Sequence, residues 1–196
     1  MKTLVLSSLL TLLFGFQAHA VGFYLEPGIT YEKGDSKLTW PSPLDDSSGD
    51  IQGLGANLKL GIHAKDIFFV GLDASYSEPN FKNSATDYDA RARSTLYGAI
   101  AGLQAPIAGL RFWGGYIFDG VMDPEEDGGV DVKFTGAKGL KLGLGVKIYL
   151  VSVNFEYLDL SYKDSELEKA GPVSGTLDSE FKNKVSLVSV SFPFTF

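Results

Sequence analysis

The stretch LKLGLGVKIYL, residues 140–150, decides the fold class. Aliphatic residues occupy every second position from Leu140 to Leu150, and the positions between them carry Lys, Gly or Tyr. Successive side chains of a β-strand point to opposite faces, so this segment predicts a strand with one aliphatic face and one charged or bare face. Such a face is either the core of a soluble sandwich or the lipid-facing surface of a membrane barrel.

The same alternation recurs along the chain, in segments separated by alternately long and short connections. It predicts seven more strands, at residues 23–32, 53–63, 68–76, 94–104, 110–121, 151–161 and 184–196. The long connections are residues 33–50, 77–93, 122–138 and 163–181, and the short ones are 64–66, 105–109 and a reversal near Leu150. An even number of strands with this rhythm predicts an all-β fold, an eight-stranded antiparallel up-and-down transmembrane β-barrel.

Aromatic residues favour the membrane barrel over a soluble β-sandwich. On the apolar faces they fall at both ends of the predicted strands. The periplasmic ends carry Phe23, Phe68, Phe112 and Phe196, and the outer ends carry Tyr31, Tyr76, Phe118 and Tyr157. Two aromatic girdles are what a barrel in lipid requires at its two interfaces.

The first 20 residues have the three parts of a secretory signal peptide. Lys2 gives the positive start, residues 4–16 are apolar, and residues 18–20 read Ala-His-Ala, a small-x-small cleavage site. We therefore expect cleavage after Ala20 and a barrel domain at residues 21–196. The sequence contains no cysteine, which excludes disulfides, thiol catalysis and cysteine metal sites.

The last predicted strand, VSLVSVSFPFTF at residues 185–196, carries a second targeting feature. Its terminal Phe196, with Phe194 and Phe192 at alternate positions, resembles the carboxy-terminal assembly signal of Gram-negative outer-membrane barrels. Strand number and loop rhythm resemble the OmpA/OmpX/Opa-type small barrels and, as a second choice, OmpW-like barrels. The resemblance implies location in the outer membrane, surroundings of outer-membrane lipid and lipopolysaccharide, and the barrel assembly machinery as a partner during biogenesis.

Charge is unevenly distributed. The formal net charge of −7 argues against nucleic acid as a partner, and the acidic excess lies in the long connections. One acidic stretch places Asp123, Glu125, Asp127 and Asp131 around two glycines, as at the start of a calcium loop. The match is partial, because Phe134 stands where such loops place their bidentate glutamate. The alternative is a solvated surface that keeps the loops soluble.

Catalysis is not predicted, and neither is a cofactor. Outer-membrane barrels that are enzymes generally resemble one another in using a histidine near the outer rim. The predicted mature chain has one histidine, His63, near the periplasmic end of the second strand, where it fits a polar lining residue. No serine and orienting carboxylate accompany it in the pattern that general base catalysis needs.

The predicted inward faces carry four acidic and four basic residues. They are Glu26, Asp73, Asp119 and Glu156, with Lys59, Arg111, Lys141 and Lys147. Aligning the ends of the first and third hairpins places Glu26 opposite Lys59 and Asp119 opposite Lys141, which predicts two luminal ion pairs.

The function that the sequence as a whole predicts is a structural or surface-interaction role, adhesin-like, with an extracellular partner at the loops. The alternative is a narrow channel for small or hydrophobic molecules, OmpW-like or porin-like.

Overall fold

The computed structural model describes residues 21–40, 45–64, 67–83, 88–105, 109–170, 173–177 and 179–196. The predicted signal peptide and parts of two short connections lie outside these residues. The chain forms ten β-segments: β1 Val21–Thr39, β2 Ser47–Ala64, β3 Phe68–Asn83, β4 Tyr88–Gln104, β5 Leu110–Pro124, β6 Val130–Ile148, β7 Val151–Ala170, β8 Val173–Leu177, β9 Glu180–Ser191 and β10 Phe194–Thr195. Among the described residues, no helix is long and apolar enough to cross a membrane.

The strands form a closed antiparallel ring. Neighbours in sequence pair from β1 through β7, and β9 pairs with both β7 and β1. The segments β8, β9 and β10 follow one another along the last strand of the ring, which therefore has eight strands. This confirms the predicted fold class. For the strands that the structure describes, closure pairs the backbone groups and leaves no sheet edge exposed to lipid.

The strands are longer than the alternation predicted. β1 reaches Thr39 and β2 begins at Ser47, so most of the first long connection is paired strand. The third long connection is reduced to a tight turn, in which Gly128 and Gly129 have φ of 60° and 81°. Two central residues in the left-handed region are typical of a two-residue hairpin turn, for which glycine carries no steric cost. The predicted bounds of this connection, 122–138, were therefore too wide, because β5 reaches Pro124 and β6 begins at Val130.

The outer face of the ring is apolar. Its interior is largely polar at the lower end, which is the end that contains Val21 and Phe196. All eight predicted girdle aromatics are exposed on the outer face, from Tyr157 at 38% to Phe196 at 77%. The lower interior holds charged side chains, and the upper interior holds a hydrophobic cluster. This inversion of the soluble pattern is what a barrel surrounded by lipid requires.

One predicted register is correct and one is wrong. Glu26 lies opposite Lys59, as the first hairpin predicted. In the third hairpin Leu110 lies opposite Val146, so that Gly115, and not Asp119, faces Lys141. The error has a physical cause, because closing a barrel staggers neighbouring strands and their ends need not be level.

Asp119 also lies on the wrong face for the predicted pair. A β-bulge follows Tyr97 on β4, and Phe118 is the extra residue opposite it on β5. An extra residue shifts the alternation by one position, so Asp119 is exposed while Gly120 and Met122 face inward.

Candidate functional site

The lower lumen contains a buried cluster of charges around Glu156. Its Oε1 lies 3.0 Å from the Lys59 amine, and its Oε2 lies 3.2 Å from the Lys141 amine. Lys141 also forms an ion pair with Asp73 from β3. All four side chains are at most 3% exposed. The cluster thus connects β2, β3, β6 and β7 across the lumen.

Trp113 supports this cluster from one side. Its Nε1 donates a hydrogen bond to Glu156 Oε1 at 2.9 Å, and the Lys59 amine lies 4.9 Å from its ring centroid. The ring lies over Gly143, its partner on β6, where an added Cβ would be 2.0 Å from a ring carbon. Glycine at this inward position is therefore required for the indole to reach Glu156.

A second buried pair lies beside the first cluster. Arg111 donates to Glu26 Oε2 at 2.6 Å and also contacts the Tyr24 hydroxyl and, at 3.2 Å, the Ser152 hydroxyl. Ser191 donates to the other oxygen of Glu26. The guanidinium carbon lies 5.2 Å from the Phe69 ring centroid, which is cation–π distance. A buried charge that is paired and hydrogen-bonded in this way avoids most of the cost of burial.

The predicted luminal residues come together, but with different partners. Six of the eight are buried in the lower lumen: Glu26, Asp73, Glu156, Lys59, Arg111 and Lys141. Glu26 lies opposite Lys59 in the sheet, yet each has its close ion pair elsewhere, with Arg111 and Glu156. The predicted Asp119–Lys141 pair is wrong, because Lys141 pairs with Asp73 and Glu156. Which side chains meet across the lumen depends on the diameter of the barrel, and the alignment of two strands gives no information about that diameter.

The upper lumen is closed by apolar and aromatic side chains. Phe134 and Phe181 stack with centroids 4.1 Å apart, and Tyr162 lies 5.1 Å from Phe181. Phe81 packs edge-on against Phe181 at 6.0 Å. These aromatic rings belong to a larger buried cluster that includes Ile51, Met122 and Leu160. Phe134, which stands where a calcium loop would have its bidentate glutamate, is thus a core residue.

Several buried polar atoms between the two layers have no hydrogen-bond partner among the described residues. They include Glu32 Oε1, both side-chain polar atoms of Asn57 and Asn183 Oδ1. Buried polar groups are normally satisfied by protein or by ordered water. This middle zone is therefore where water would enter the interior.

The acidic turn does not form the predicted calcium loop. Asp123 and Asp131 lie close enough to Glu168 of β7 to share one cation, whereas Glu125 and Asp127 do not belong to this group. The Lys133 amine already lies 3.6 Å from Asp123 and 3.4 Å from Glu168. Burial, followed by the negative charges of Glu168 and Asp123, raises the pKa of Asp131 above its ordinary value. The sequence did not indicate Glu168, because it lies on β7 whereas Asp123 and Asp131 lie on β5 and β6.

The remaining predicted site residues lie at the lower end of the barrel, near Val21 and Phe196. His63 is buried in the lumen, where its ring stacks on Phe69 at 6.3 Å, as expected of a lining residue. Phe192, Phe194 and Phe196 all face outward, and the backbone of Phe196 exchanges two 3.0 Å hydrogen bonds with that of Phe23. Their role in assembly stays a prediction.

Comparisons with known proteins agree with this architecture. Neisserial surface protein A is 13% identical with a TM-score of 0.50, covering 88% of this chain and 97% of that one. The outer membrane protein OprG from Pseudomonas aeruginosa is 11% identical with a TM-score of 0.55, covering 91% and 98%. At these identities the likeness concerns the fold alone.

The sequence itself decides the family. No curated protein matches it. The family model described as the outer membrane protein beta-barrel domain matches residues 6–194, which is nearly the whole sequence. The chain belongs to the outer membrane protein beta-barrel family.

Proposed function

We propose that this barrel is closed to ions and has a structural or surface-interaction role, adhesin-like, in the outer membrane of a Gram-negative bacterium. The observation that carries the proposal is the filled lumen. A charged layer around Glu156 fills its lower part, and the aromatic layer around Phe181 fills its upper part. An eight-stranded barrel is just narrow enough for its own side chains to fill.

Charge balance supports the closed state. The lower layer contains three carboxylates and three cations, so it presents no net fixed charge that would attract a permeating ion. Each cation is within 3.2 Å of a carboxylate oxygen. Opening a path would require separating buried partners, which costs several kcal/mol per pair.

The outer extensions support the surface role. A membrane-spanning β-strand needs about 9–11 residues, whereas β1 and β6 have 19 each and β7 has 20. The excess forms paired strands that present acidic side chains outside the membrane. Such a surface is stiff enough to present a defined face to an extracellular partner. Because this role needs no reaction at the site, the proposal includes no catalysis and no cofactor.

Single-channel recording in planar bilayers tests the closed lumen. The wild type should show at most small, intermittent openings. Lys59→Glu or Lys141→Glu places like charges beside Glu156 and should raise the conductance. The control is Lys82→Glu, which removes an exposed ion pair outside the lumen and should change nothing. A large, steady wild-type conductance would contradict the proposal.

The surface role has its own test. Pull-down from intact cells would compare the full chain with variants shortened at the third and fourth outer hairpins, each first checked for heat-modifiable mobility. A partner that is captured by the full chain and lost by a shortened one supports the role. Identical capture by all of them would contradict it.

A narrow channel for small or hydrophobic molecules is the second candidate. The unpartnered polar atoms of Glu32 and Asn57 favour it, since they mark an interior zone that water could occupy. Uptake of a small aromatic probe into liposomes distinguishes the two functions. Uptake by the wild type without ion conductance would favour the channel over the purely structural role.

A further inference from the structure

Glu32 differs from the other carboxylates in the interior of the barrel. Among the described residues four carboxylates are buried, those of Glu26, Asp73, Glu156 and Glu32. The first three form ion pairs with the cations of the lower layer, Arg111, Lys141 and Lys59. Glu32 forms no ion pair with a described residue, and its Oε1 has no hydrogen-bond partner there. Its negative charge is therefore not compensated by any side chain that the structure describes.

Glu32 lies in the middle zone of the lumen, between the two layers. The inward positions of β1 run from Glu26 in the lower charged layer to Leu38 in the upper hydrophobic cluster, and Glu32 is halfway between them. The buried lysines and the buried arginine of the described interior all belong to the lower layer, where each already has a carboxylate. His63 lies lower still, opposite Gly22. No cationic side chain of the described interior is therefore left for Glu32.

Two inward glycines of β2 leave room beside this carboxylate. Glu32 lies opposite Gly53, and Thr30 lies opposite Gly55. On β3, Ser77 is the partner of Gly55, and its hydroxyl hydrogen-bonds with the Glu32 carboxylate. A Cβ added at Gly55 would be 2.8 Å from the Thr30 hydroxyl and 2.7 Å from the Ser77 Cβ. Side chains from β1 and β3 thus approach each other across a bare stretch of β2.

Polar groups from three more strands lie on the other side of the zone. The Tyr162 hydroxyl is within hydrogen-bonding reach of Asn183 and Ser94, and it is close enough to Glu32 to feel its charge. Ser94 is the partner of Ser77 in the sheet. Asn183 Oδ1 has no hydrogen-bond partner among the described residues. Oxygen-bearing side chains from β1, β3, β4, β7 and β9 are therefore gathered in the zone of Glu32.

The charge of the zone and its ligand atoms together favour a small cation. Buried charges are normally paired or coordinate a metal ion, because an isolated charge is costly to remove from water. Ordered water would satisfy the hydrogen bonds of the zone but would not neutralise its charge. Carboxylate, hydroxyl and amide oxygens are hard ligands, which suit alkali and alkaline-earth cations. Calcium sites usually combine several carboxylates, whereas a single carboxylate balances one positive charge.

We propose that the middle zone binds a monovalent alkali cation, such as sodium, at Glu32. The carboxylate supplies the charge, and the hydroxyl oxygens of Thr30 and Ser77, with Asn183 Oδ1, are the other protein ligands. With the cation bound, the charges of the described interior balance, because the lower layer already contains equal numbers of carboxylates and cations. A cation enclosed between the two layers is held in place and not conducted, and it makes folding of the barrel depend on the salt.

Folding equilibria in different salts test the proposal. The chain from Val21 to Phe196 would be folded from urea into zwitterionic phospholipid vesicles. The salts are the chlorides of sodium, potassium, calcium and the bulky cation N-methylglucamine, at equal ionic strength. The test variant is Glu32→Gln, which keeps the size of the side chain and removes its charge. The control is Asp35→Asn, which removes a charge from the exposed face of the same strand. Heat-modifiable mobility checks that each variant is folded.

Sodium or potassium should raise the wild-type folding constant at least about tenfold over N-methylglucamine, equivalent to about 1.4 kcal/mol. Asp35→Asn should respond as the wild type does, and Glu32→Gln should not distinguish the salts. Calcium should stabilise the wild type no more than N-methylglucamine does. Equal responses in the wild type and Glu32→Gln would overturn the proposal, since a general electrolyte effect would then explain them. A response to calcium alone would also overturn it.

Infrared difference spectra of the wild type provide a measurement that needs no variant. Without a suitable cation, a buried carboxylate becomes neutral by taking up a proton. Exchange of sodium for N-methylglucamine at neutral pH should therefore convert carboxylate absorption into that of a protonated carboxyl group. The absence of this conversion would overturn the proposal. The inference does not rest on the surface role or on the lack of conductance: a conducting wild type would contradict the closed lumen and leave the salt response unchanged.

Discussion

Glu156 is the residue on which the charged layer depends. It accepts from Lys59, Lys141 and Trp113, three side chains from three different strands. Its carboxylate holds two ammonium groups that would otherwise repel each other inside the barrel. The inward alternation of β7 predicts that Glu156 is luminal. It does not predict these partners, because they come from strands whose distance across the lumen only the closed ring defines.

Replacing this carboxylate should therefore be costly. Glu156→Gln leaves Lys59 without its close ion partner, and removing one member of a buried pair costs about 3–5 kcal/mol. Urea unfolding in phospholipid vesicles would measure the loss. The control is Asp159→Asn on the same strand, whose exposed carboxylate lies 4.0 Å from Lys184 and contributes about 0–1 kcal/mol. Similar losses in the two variants would mean that water reaches the cluster.

Tyr88 provides a pH-dependent test outside the membrane. Burial, followed by the negative charges of Asp131 and Asp127, raises the pKa of its phenol from 10.0 to about 12. A phenol whose pKa is higher in the folded state stabilises the fold fully below pH 10, and this contribution is lost as the pH rises from 10 to about 12. Tyrosinate absorbance should show a transition near pH 12 whose amplitude decreases in Tyr88→Phe. The prediction is wrong if the two titration curves coincide.

Among the hairpins, the sequence predicts the register of β1 with β2 correctly and that of β5 with β6 wrongly. Alternation located every strand of the ring and the first register, because β1 and β2 run without a bulge from end to end. It failed on β5, where the extra residue Phe118 reversed the inward positions and moved Asp119 outside. A bulge has no marker in an alternating pattern when both faces near it carry apolar residues.

The acidic hairpin of β5 and β6 should bind calcium only weakly. Asp123, Asp131 and Glu168 lie together, but the Lys133 amine competes with any cation for two of them. Calorimetry should show a small signal that Asp123→Asn with Glu168→Gln removes and Glu125→Gln leaves intact. Because the pKa of Asp131 is raised, protonation opposes binding, and affinity should increase as the pH rises through that pKa. A signal that survives the double change would place the site elsewhere.

The ring is closed where β1 pairs with the last two segments, β9 and β10. Pro27 and Pro193 both lie on this seam, and neither has an N–H to donate. Phe192 still donates to the Pro27 carbonyl at 2.9 Å, and the Phe23–Phe196 pair completes the lower end. The seam therefore depends on its terminal hydrogen bonds more than an ordinary strand pair does.

Deleting Phe196 should reduce assembly in cells. The deletion removes two hydrogen bonds of the seam, an exposed aromatic anchor and the terminal residue of the predicted assembly signal. Outer-membrane fractions should contain less heat-modifiable, folded protein than the wild type. Phe68→Ala removes a periplasmic aromatic anchor away from the terminus and should reduce it much less. Unchanged yield and folding on deletion would contradict an assembly role.

The length of the strands has a consequence for immune recognition. The 20 residues of β7, at about 3.3 Å each and tilted by about 40°, rise about 50 Å along the membrane normal, twice the apolar band of about 25 Å. Much of what stands outside the cell is therefore hydrogen-bonded sheet. Antibodies raised against the folded barrel should recognise discontinuous epitopes that span neighbouring strands. Antibodies raised against linear peptides from the same segments should bind whole cells poorly.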